Sequence, residues 1–228
     1  MAQLYGNETL YFKNLKTNLV ESNILVQCDF AENFSFIVQD ATQSFHWNND
    51  QATLLTSVYY FKDGQDLKHG SIVIISSDLK HDTATFYSFQ KMLHQHLEKN
   101  NILVSKIIYI TDGAPQHFKN RFNYKQDFGT DAEFHFHATA HGKGPCDGLG
   151  GNLKRLAARA SLQLPTDKAI TSAKRLYDWA KSSTLQFIFV TKKKSNNKEI
   201  CYNPVLLLLS PYQALRSSMH LFRPKKDF

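Results

Sequence analysis

Hydrophobic runs and amphipathic segments alternate along this chain, and the alternation predicts an α/β protein. The apolar run from Ile24 to Phe30 is typical of a buried strand, and Ile107–Ile110 predicts a second one. Between them, two strand-like runs, Ser57–Lys62 and Ser71–Ser76, flank a polar connection that contains Asp63-Gly64 and Gly70. Strand-like runs around a glycine-containing polar connection predict a β-hairpin.

Apolar residues at helical spacing predict three helices around these strands. Tyr5–Val20 has the spacing of a short amphipathic helix, with Leu10, Leu15 and Leu19 among its apolar positions. Asp82 is suited to accept backbone hydrogen bonds at the start of a second helix, which runs to about Lys99. A third helix follows a glycine-rich segment and ends before Pro165; its apolar stripe comprises Leu149, Leu153, Leu156, Ala160 and Leu164.

A further strand and a C-terminal extension complete the pattern. AEFHFHAT, from Ala132, alternates so that Phe134 and Phe136 share one side, while Glu133 and His135 share the other. After Pro165 come a predicted helix opening near Thr166, the strand LQFIFVT, a KKKSNN turn and the apolar VLLLLSP. We therefore predict a mixed sheet flanked by helices, with a core over residues 1–164 and an extension over residues 165–228 packed on it.

Composition and charge limit the classes of function. The chain of 228 residues has 42% hydrophobic side chains, enough for a sizeable core. Lys and Arg outnumber Asp and Glu by 27 to 20, which is the sign expected of a polyanion-binding protein. The three cysteines form no CxxC pair, so we expect reduced thiols that pack in the core. Without a long apolar run or a signal-peptide pattern, we expect a soluble intracellular protein with no membrane partner.

Three aspartates fall at places where a sheet brings side chains together. Asp29 is predicted to end the first strand, Asp112 ends the strand after the first long helix, and Asp147 opens the helix after the last strand. Clustered carboxylates repel one another unless a cation such as Mg²⁺ holds them. Two such ions about 4 Å apart suit phosphodiester chemistry. The alternative interpretation is that each aspartate only caps a turn or a helix.

The helix that Asp147 opens has a second face that suits nucleic acid. At about 100° per residue, Asp147, Gly151, Lys154, Ala158 and Ser161 lie opposite the leucine stripe. Gly148 and Gly151 would keep this face low enough for a DNA backbone to approach, and Lys154 and Arg155 would contact phosphates.

Three sequence blocks, DFAEN at Asp29, TDGAPQHFKN around Asp112 and HGKGPCDGLGGNLKR around Asp147, together resemble a known family. They are similar to the core of DDE/D transposases with an RNase H-like, retroviral-integrase fold. In particular, they resemble transposon-derived proteins of animal genomes that carry DFxEN, SDG and GHGKGxxDGxGGxxKR blocks. The resemblance covers roughly Leu15 to Leu164. It implies that Asp29, Asp112 and Asp147 hold Mg²⁺ or Mn²⁺, as two ions, for DNA strand cleavage and transfer.

The resemblance also implies partners and leaves alternatives open. It implies DNA, as transposon ends and target, a nuclear location and a homo-oligomer. Many relatives use Glu as the third acid, so Glu133 is an alternative to Asp147, with Glu32 as a supporting acid. Candidate DNA-contacting residues are Lys119, Arg121, His141, Lys143, Lys154 and Arg155. No zinc finger or helix-turn-helix is recognisable before the core, which leaves open a complete transposase, a fragment or a domesticated relative. The alternative function is a domesticated, catalytically inactive DNA- or protein-binding module.

Overall fold

The computed structural model describes residues 2–39, 50–111, 124–136, 144–181, 186–193 and 201–206. The strands within these ranges are β1 (Asn23–Ser35), β2 (Gln51–Asp63), β3 (Asp66–Ser76), β4 (Lys106–Thr111), β5 (Asp131–Phe136), β6 (Gln186–Lys193) and β7 (Cys201–Leu206). The α-helices are α1 (Ala2–Thr17), α2 (Thr83–Lys99), α3 (Tyr124–Phe128), α4 (Pro145–Gln163) and α5 (Ala173–Ala180). The three long predicted helices and the predicted strands are therefore present, with shifted ends.

The described strands form one mixed sheet in the order β5-β4-β1-β2-β3-β6-β7. Strands β1, β2 and β3 are antiparallel, whereas β4 is parallel to β1 and β5 is parallel to β4. This is the order and direction of an RNase H-like sheet. Strand β6 extends it in parallel to β3, and β7 pairs antiparallel with β6. The predicted fold class, an RNase H-like mixed sheet flanked by helices with a C-terminal extension, is confirmed.

Helix α2 covers one face of the sheet. Side chains from β1, β2, β3, β4 and β6 form a core with its apolar side, which includes Phe86, Phe89, Leu93 and Leu97. The helix starts where the sequence predicts, because the Asp82 carboxylate accepts a hydrogen bond from the backbone N–H of Thr85 at 2.9 Å. The apolar period of this segment therefore marks its buried side correctly.

Helices α1, α4 and α5 cover the other face. Helix α4 buries Cys146, Gly150, Leu153, Ala157 and Ser161, a stripe rotated from the predicted leucine stripe. Small residues on this stripe let the helix approach the sheet closely, since a Cβ added at Gly150 would lie 3.3 Å from Ala31 Cβ. The predicted Leu149, Ala160 and Leu164 are only partly buried, at the margin of the contact. The helix ends before Pro165, as predicted.

Ser161 corrects the prediction for the outer face of α4. It was expected on the exposed side, but it is buried, and its hydroxyl donates to the backbone oxygen of Ile37 at 2.6 Å. The same hydroxyl accepts from the backbone N–H of Ile170 at 3.0 Å. Ser161 thus satisfies two backbone groups at the far end of the helix, which explains why a polar residue is tolerated on the buried side.

Strand β1 does not end at Asp29, as the sequence had predicted. Its parallel pairing with β4 reaches Gln27, but its antiparallel pairing with β2 continues through Asp29 to Ser35. The pairing is interrupted where Glu32 and Asn33 together oppose Thr53, a β-bulge. Asp29 therefore lies inside a strand, just beyond the segment that is paired on both sides.

The remaining elements differ from the prediction mainly in length. The hairpin strands are longer than predicted, and the turn uses Gly64 at a φ of 62°. The predicted helix near Thr166 is a single 3₁₀ turn, Thr166–Lys168, before α5. Phe187 and Phe189 of β6 pack with α5 and α4 in one core. Among the described residues, no helix is long and apolar enough to span a membrane.

Candidate metal and nucleic-acid site

The start of α4 crosses the middle of β1, and this crossing is the candidate site. Cys146, in the first turn of α4, is buried, and its thiol donates to the backbone oxygen of Gln27 at 3.1 Å. One turn later, Gly150 lies against Thr56, whose hydroxyl donates to the backbone oxygen of Asp29 at 3.2 Å. The first turns of α4 are therefore fixed over β1 between Gln27 and Ala31.

Asp29 and Asp147 both lie close enough to Cys146 for their charges to affect its thiol. Asp29 is half-buried, while Asp147 is exposed in the first turn of α4. Burial raises the pKa of the Cys146 thiol to about 12, and the nearby charges of Asp29 and Asp147 also raise it. Because its pKa is high, the thiol stays protonated at neutral pH and packs rather than reacts.

Asp147 also stabilises the helix that it opens. The backbone N–H of Gly144 donates to Asp147 Oδ2 at 3.0 Å, and the backbone N–H of Asp147 donates to the Gly144 oxygen at 3.1 Å. A carboxylate in the first turn also interacts favourably with the helix dipole. The capping alternative therefore describes one role of Asp147. One such hydrogen bond leaves further lone pairs on the carboxylate that suit a metal ion.

Several predicted site residues lie outside the described part of the chain. These are Asp112, Lys119, Arg121, His141 and Lys143. Asp112 directly follows Thr111, the last described residue of β4, which is buried. Among the described residues, no group of three His, Cys, Asp or Glu side chains is placed to hold a metal ion. The proposed triad accordingly includes one member that the described ranges do not contain.

Glu133, the alternative third acid, is placed elsewhere. It forms an ion pair with Lys106 Nζ, and its Oε1 lies 2.7 Å from His135 Nε2. The hydrogen bond from Lys106 lowers the pKa of Glu133, and His135 contributes in the same direction. Glu133 of β5 is paired in register with Ile108 of β4, and Ile108 is paired with Leu25 of β1. Standard strand spacings then place Glu133 about 16 Å from Asp29 along and across the sheet.

Glu32 also does not join the two aspartates. It is exposed in the β-bulge of β1, beyond the stretch that α4 covers. The neighbouring Asn33 was not predicted as a site residue, although it is the last letter of the DFAEN block. Its side-chain oxygen accepts from the Thr53 hydroxyl at 3.0 Å and lies 2.8 Å from His81 Nε2. The DFAEN block therefore contributes a hydrogen-bonded bulge as well as an acid.

The outer face of α4 is basic and open. Arg155 is exposed, with its guanidinium donating to Asn152 Oδ1 at 2.8 Å, and Lys154 is half-buried. A Cβ added at Gly148 or at Gly151 would meet no atom within 4 Å, so space is open above this face, as predicted. Arg159, one turn further along, is also exposed and extends the basic face beyond the predicted residues.

Comparison with known proteins identifies a family without a described activity. No curated protein matches the chain. A family model described as a domain of unknown function, DUF8701, matches residues 8–227. Because that match covers well over half of the sequence, the chain belongs to the family described as a domain of unknown function, DUF8701.

Proposed function

We propose that this protein is a transposase-like polynucleotidyl transferase that cleaves DNA phosphodiester bonds and transfers the strand. Asp29, Asp112 and Asp147 hold its Mg²⁺ or Mn²⁺ ions. The observation that carries the proposal is that the start of α4, which includes Asp147, crosses β1 beside Asp29, with the Cys146 thiol donating to the Gln27 oxygen at 3.1 Å. The RNase H-like strand order also supports the proposal. It is the fold expected from the resemblance of the sequence blocks around these acids to those of DDE/D transposases.

The donor set suits a hard divalent cation. Carboxylate oxygens are the ligands that Mg²⁺ and Mn²⁺ prefer. Within the described residues, Asp147 forms no salt bridge with a basic side chain, so its charge is available to a cation. Asp112 follows Thr111 directly in the sequence. Strand β4, which Thr111 ends, is paired with β1. Asp29 therefore lies in β1 and Asp147 in the helix that crosses β1, and Asp112 comes directly after β4 in the sequence.

The chain's own residues have separate roles in this reaction. When bound, the two ions would activate the attacking oxygen and stabilise the leaving one. The hydrogen bond from Gly144 keeps the Asp147 carboxylate in a fixed orientation. On the outer face of α4, Lys154 and Arg155 neutralise DNA phosphates, and the open space over Gly148 and Gly151 admits the DNA backbone. Transposon ends and target DNA are the proposed partners, in a nuclear, homo-oligomeric assembly.

The test is a cleavage and strand-transfer assay with Mg²⁺ or Mn²⁺ on several DNA substrates. We expect Asp29→Asn and Asp112→Asn each to lower the metal-dependent rate at least 100-fold, about 2.7 kcal/mol in barrier. Asp63→Asn is the matched control, since Asp63 is an exposed acid in the hairpin at the other end of the sheet. Cutting that survives both Asp29→Asn and Asp112→Asn would contradict the mechanism. DNA binding without any cutting by the wild type would instead favour the catalytically silent binding module.

A further inference from the structure

Gln27 is a buried amide next to the candidate site, and its oxygen has no hydrogen-bond partner among the described residues. Its exposed fraction is 7%, and its Oε1 atom is buried. Leaving a buried acceptor unpaired costs about 1–3 kcal/mol, so buried amides normally have a partner. Sequence reasoning missed Gln27, because a single polar residue in an apolar run gives no indication of a site.

The amide is seated against the start of α4. A Cβ added at Gly144 would clash with Gln27 Nε2, so the side chain fills the space that this glycine leaves. The backbone N–H of the same glycine donates to Asp147 Oδ2 at 3.0 Å. The Gln27 amide and the Asp147 carboxylate therefore both contact Gly144. Asp29 is two residues from Gln27 on the same face of β1, about 6–7 Å along the strand.

The missing partner must be a hydrogen-bond donor, and the proposed metal site supplies one. Mg²⁺ and Mn²⁺ bound by a few carboxylates keep several water molecules, which donate hydrogen bonds to surrounding acceptors. Groups outside the direct ligands commonly orient a metal site in this way. A neutral amide oxygen is also well suited here, because it accepts a hydrogen bond without adding a further negative charge beside Asp29 and Asp147.

We propose that Gln27 is a positioning residue of the metal site, whose Oε1 accepts a hydrogen bond from the hydration shell of a divalent cation held by Asp29 and Asp147. This inference rests on the proposed function. It adds a role for Gly144, which must lack a side chain so that the amide reaches the site. It also accounts for a polar residue within the buried segment Ile24–Cys28 of β1.

The experiment measures Mn²⁺ affinity by calorimetry on the full chain, with no DNA and no turnover. Gln27→Met keeps a similar length and removes the acceptor; we expect it to weaken Mn²⁺ binding at least tenfold. Gln27→Glu keeps an acceptor and adds charge, and we expect at least threefold tighter binding. Gln90→Met is the matched control, because Gln90 in α2 is 1% exposed and its Nε2 is also unpaired among the described residues. It should change stability without changing Mn²⁺ affinity.

The outcomes separate this inference from the proposed function. If the wild type binds Mn²⁺ and Asp29→Asn loses it, but Gln27→Met binds within twofold of the wild type, the role of Gln27 is wrong and the metal site stands. If Gln27→Met does not fold, an unchanged Mn²⁺ affinity in Gln27→Glu would overturn the inference equally. A wild type that binds no Mn²⁺ would overturn both the inference and the proposed function.

Discussion

The start of α4 and the β5 edge of the sheet both carry acids, and they treat those acids differently. At the β5 edge, Glu133 is held between Lys106 and His135, and its pKa is lowered mainly by the hydrogen bond from Lys106. At the start of α4, Asp147 accepts a backbone hydrogen bond and shares the surroundings of a buried thiol with Asp29. One region neutralises its acid with the chain's own cations, and in the other Asp147 is bound by a backbone N–H.

This difference indicates which acid is available for a cation from solution. An exposed ion pair such as Glu133–Lys106 contributes little to stability, in the range of about 0–1 kcal/mol, and it occupies the carboxylate. Asp147 accepts a hydrogen bond from a backbone N–H instead, which leaves further lone pairs of its carboxylate for a divalent ion. The comparison therefore favours Asp147 over Glu133 as the third acid of the proposed triad.

The largest expected effect contrasts these two acids directly. We expect Asp147→Asn to lower metal-dependent DNA cleavage at least 100-fold, whereas Glu133→Gln should change it less than threefold. The reason is that Asn is a weaker metal ligand than a carboxylate, while Glu133 only closes an ion pair at the sheet edge. The measurement is the single-turnover cleavage rate at saturating Mg²⁺. Equal losses in the two variants would contradict the assignment of Asp147.

A smaller effect concerns stability, and it contrasts two glycines at the start of α4: Gly144, which faces Gln27, and Gly151, which faces open space. Gly144→Ala should lower the free energy of unfolding by about 1–3 kcal/mol, because the added Cβ would clash with the Gln27 amide. The φ of Gly144 is −113°, so backbone strain is not the cause. Gly151→Ala should leave stability unchanged or raise it by up to about 1 kcal/mol, since its side is open and Ala favours helix. Urea denaturation measures both, and a destabilised Gly151→Ala would show that this side is not open.

The smallest expected effect is on DNA affinity and its salt dependence, and it contrasts the basic side chains of α4 with those of the β5 edge. Replacing Lys154 and Arg155 with Ala should weaken DNA binding about tenfold at moderate salt and reduce the slope of log affinity against log salt by about two. Replacing Lys106 and Lys125 should leave the slope unchanged, because these lysines pair with Glu133 and Asp131 at the β5 edge. Fluorescence anisotropy across a salt series measures the slopes. A flat salt response in the wild type would contradict phosphate contacts by this helix.

Local patterns predicted much of this fold, and their errors have physical causes. The capping residue Asp82 and the breaker Pro165 located helix ends correctly, because these effects act within one turn. The helical period of α4 identified an amphipathic helix but the wrong buried stripe. Rotation of a helix on a sheet depends on which residues are small enough for close approach, and Gly150 and Ala157 decided it. The end of β1 was placed too early, because its second half pairs only with β2.

The sequence by itself determined the order of elements, the basic charge, the glycine-rich start of α4 and the aspartates worth considering. These features follow from local periodicity, capping and composition. Only the tertiary structure decided that the start of α4 crosses β1 beside Asp29, that Glu133 lies two strands away, and that the Gln27 amide fills the space beside Gly144. Strand order and register join residues far apart along the chain, and local patterns carry no information on such pairings.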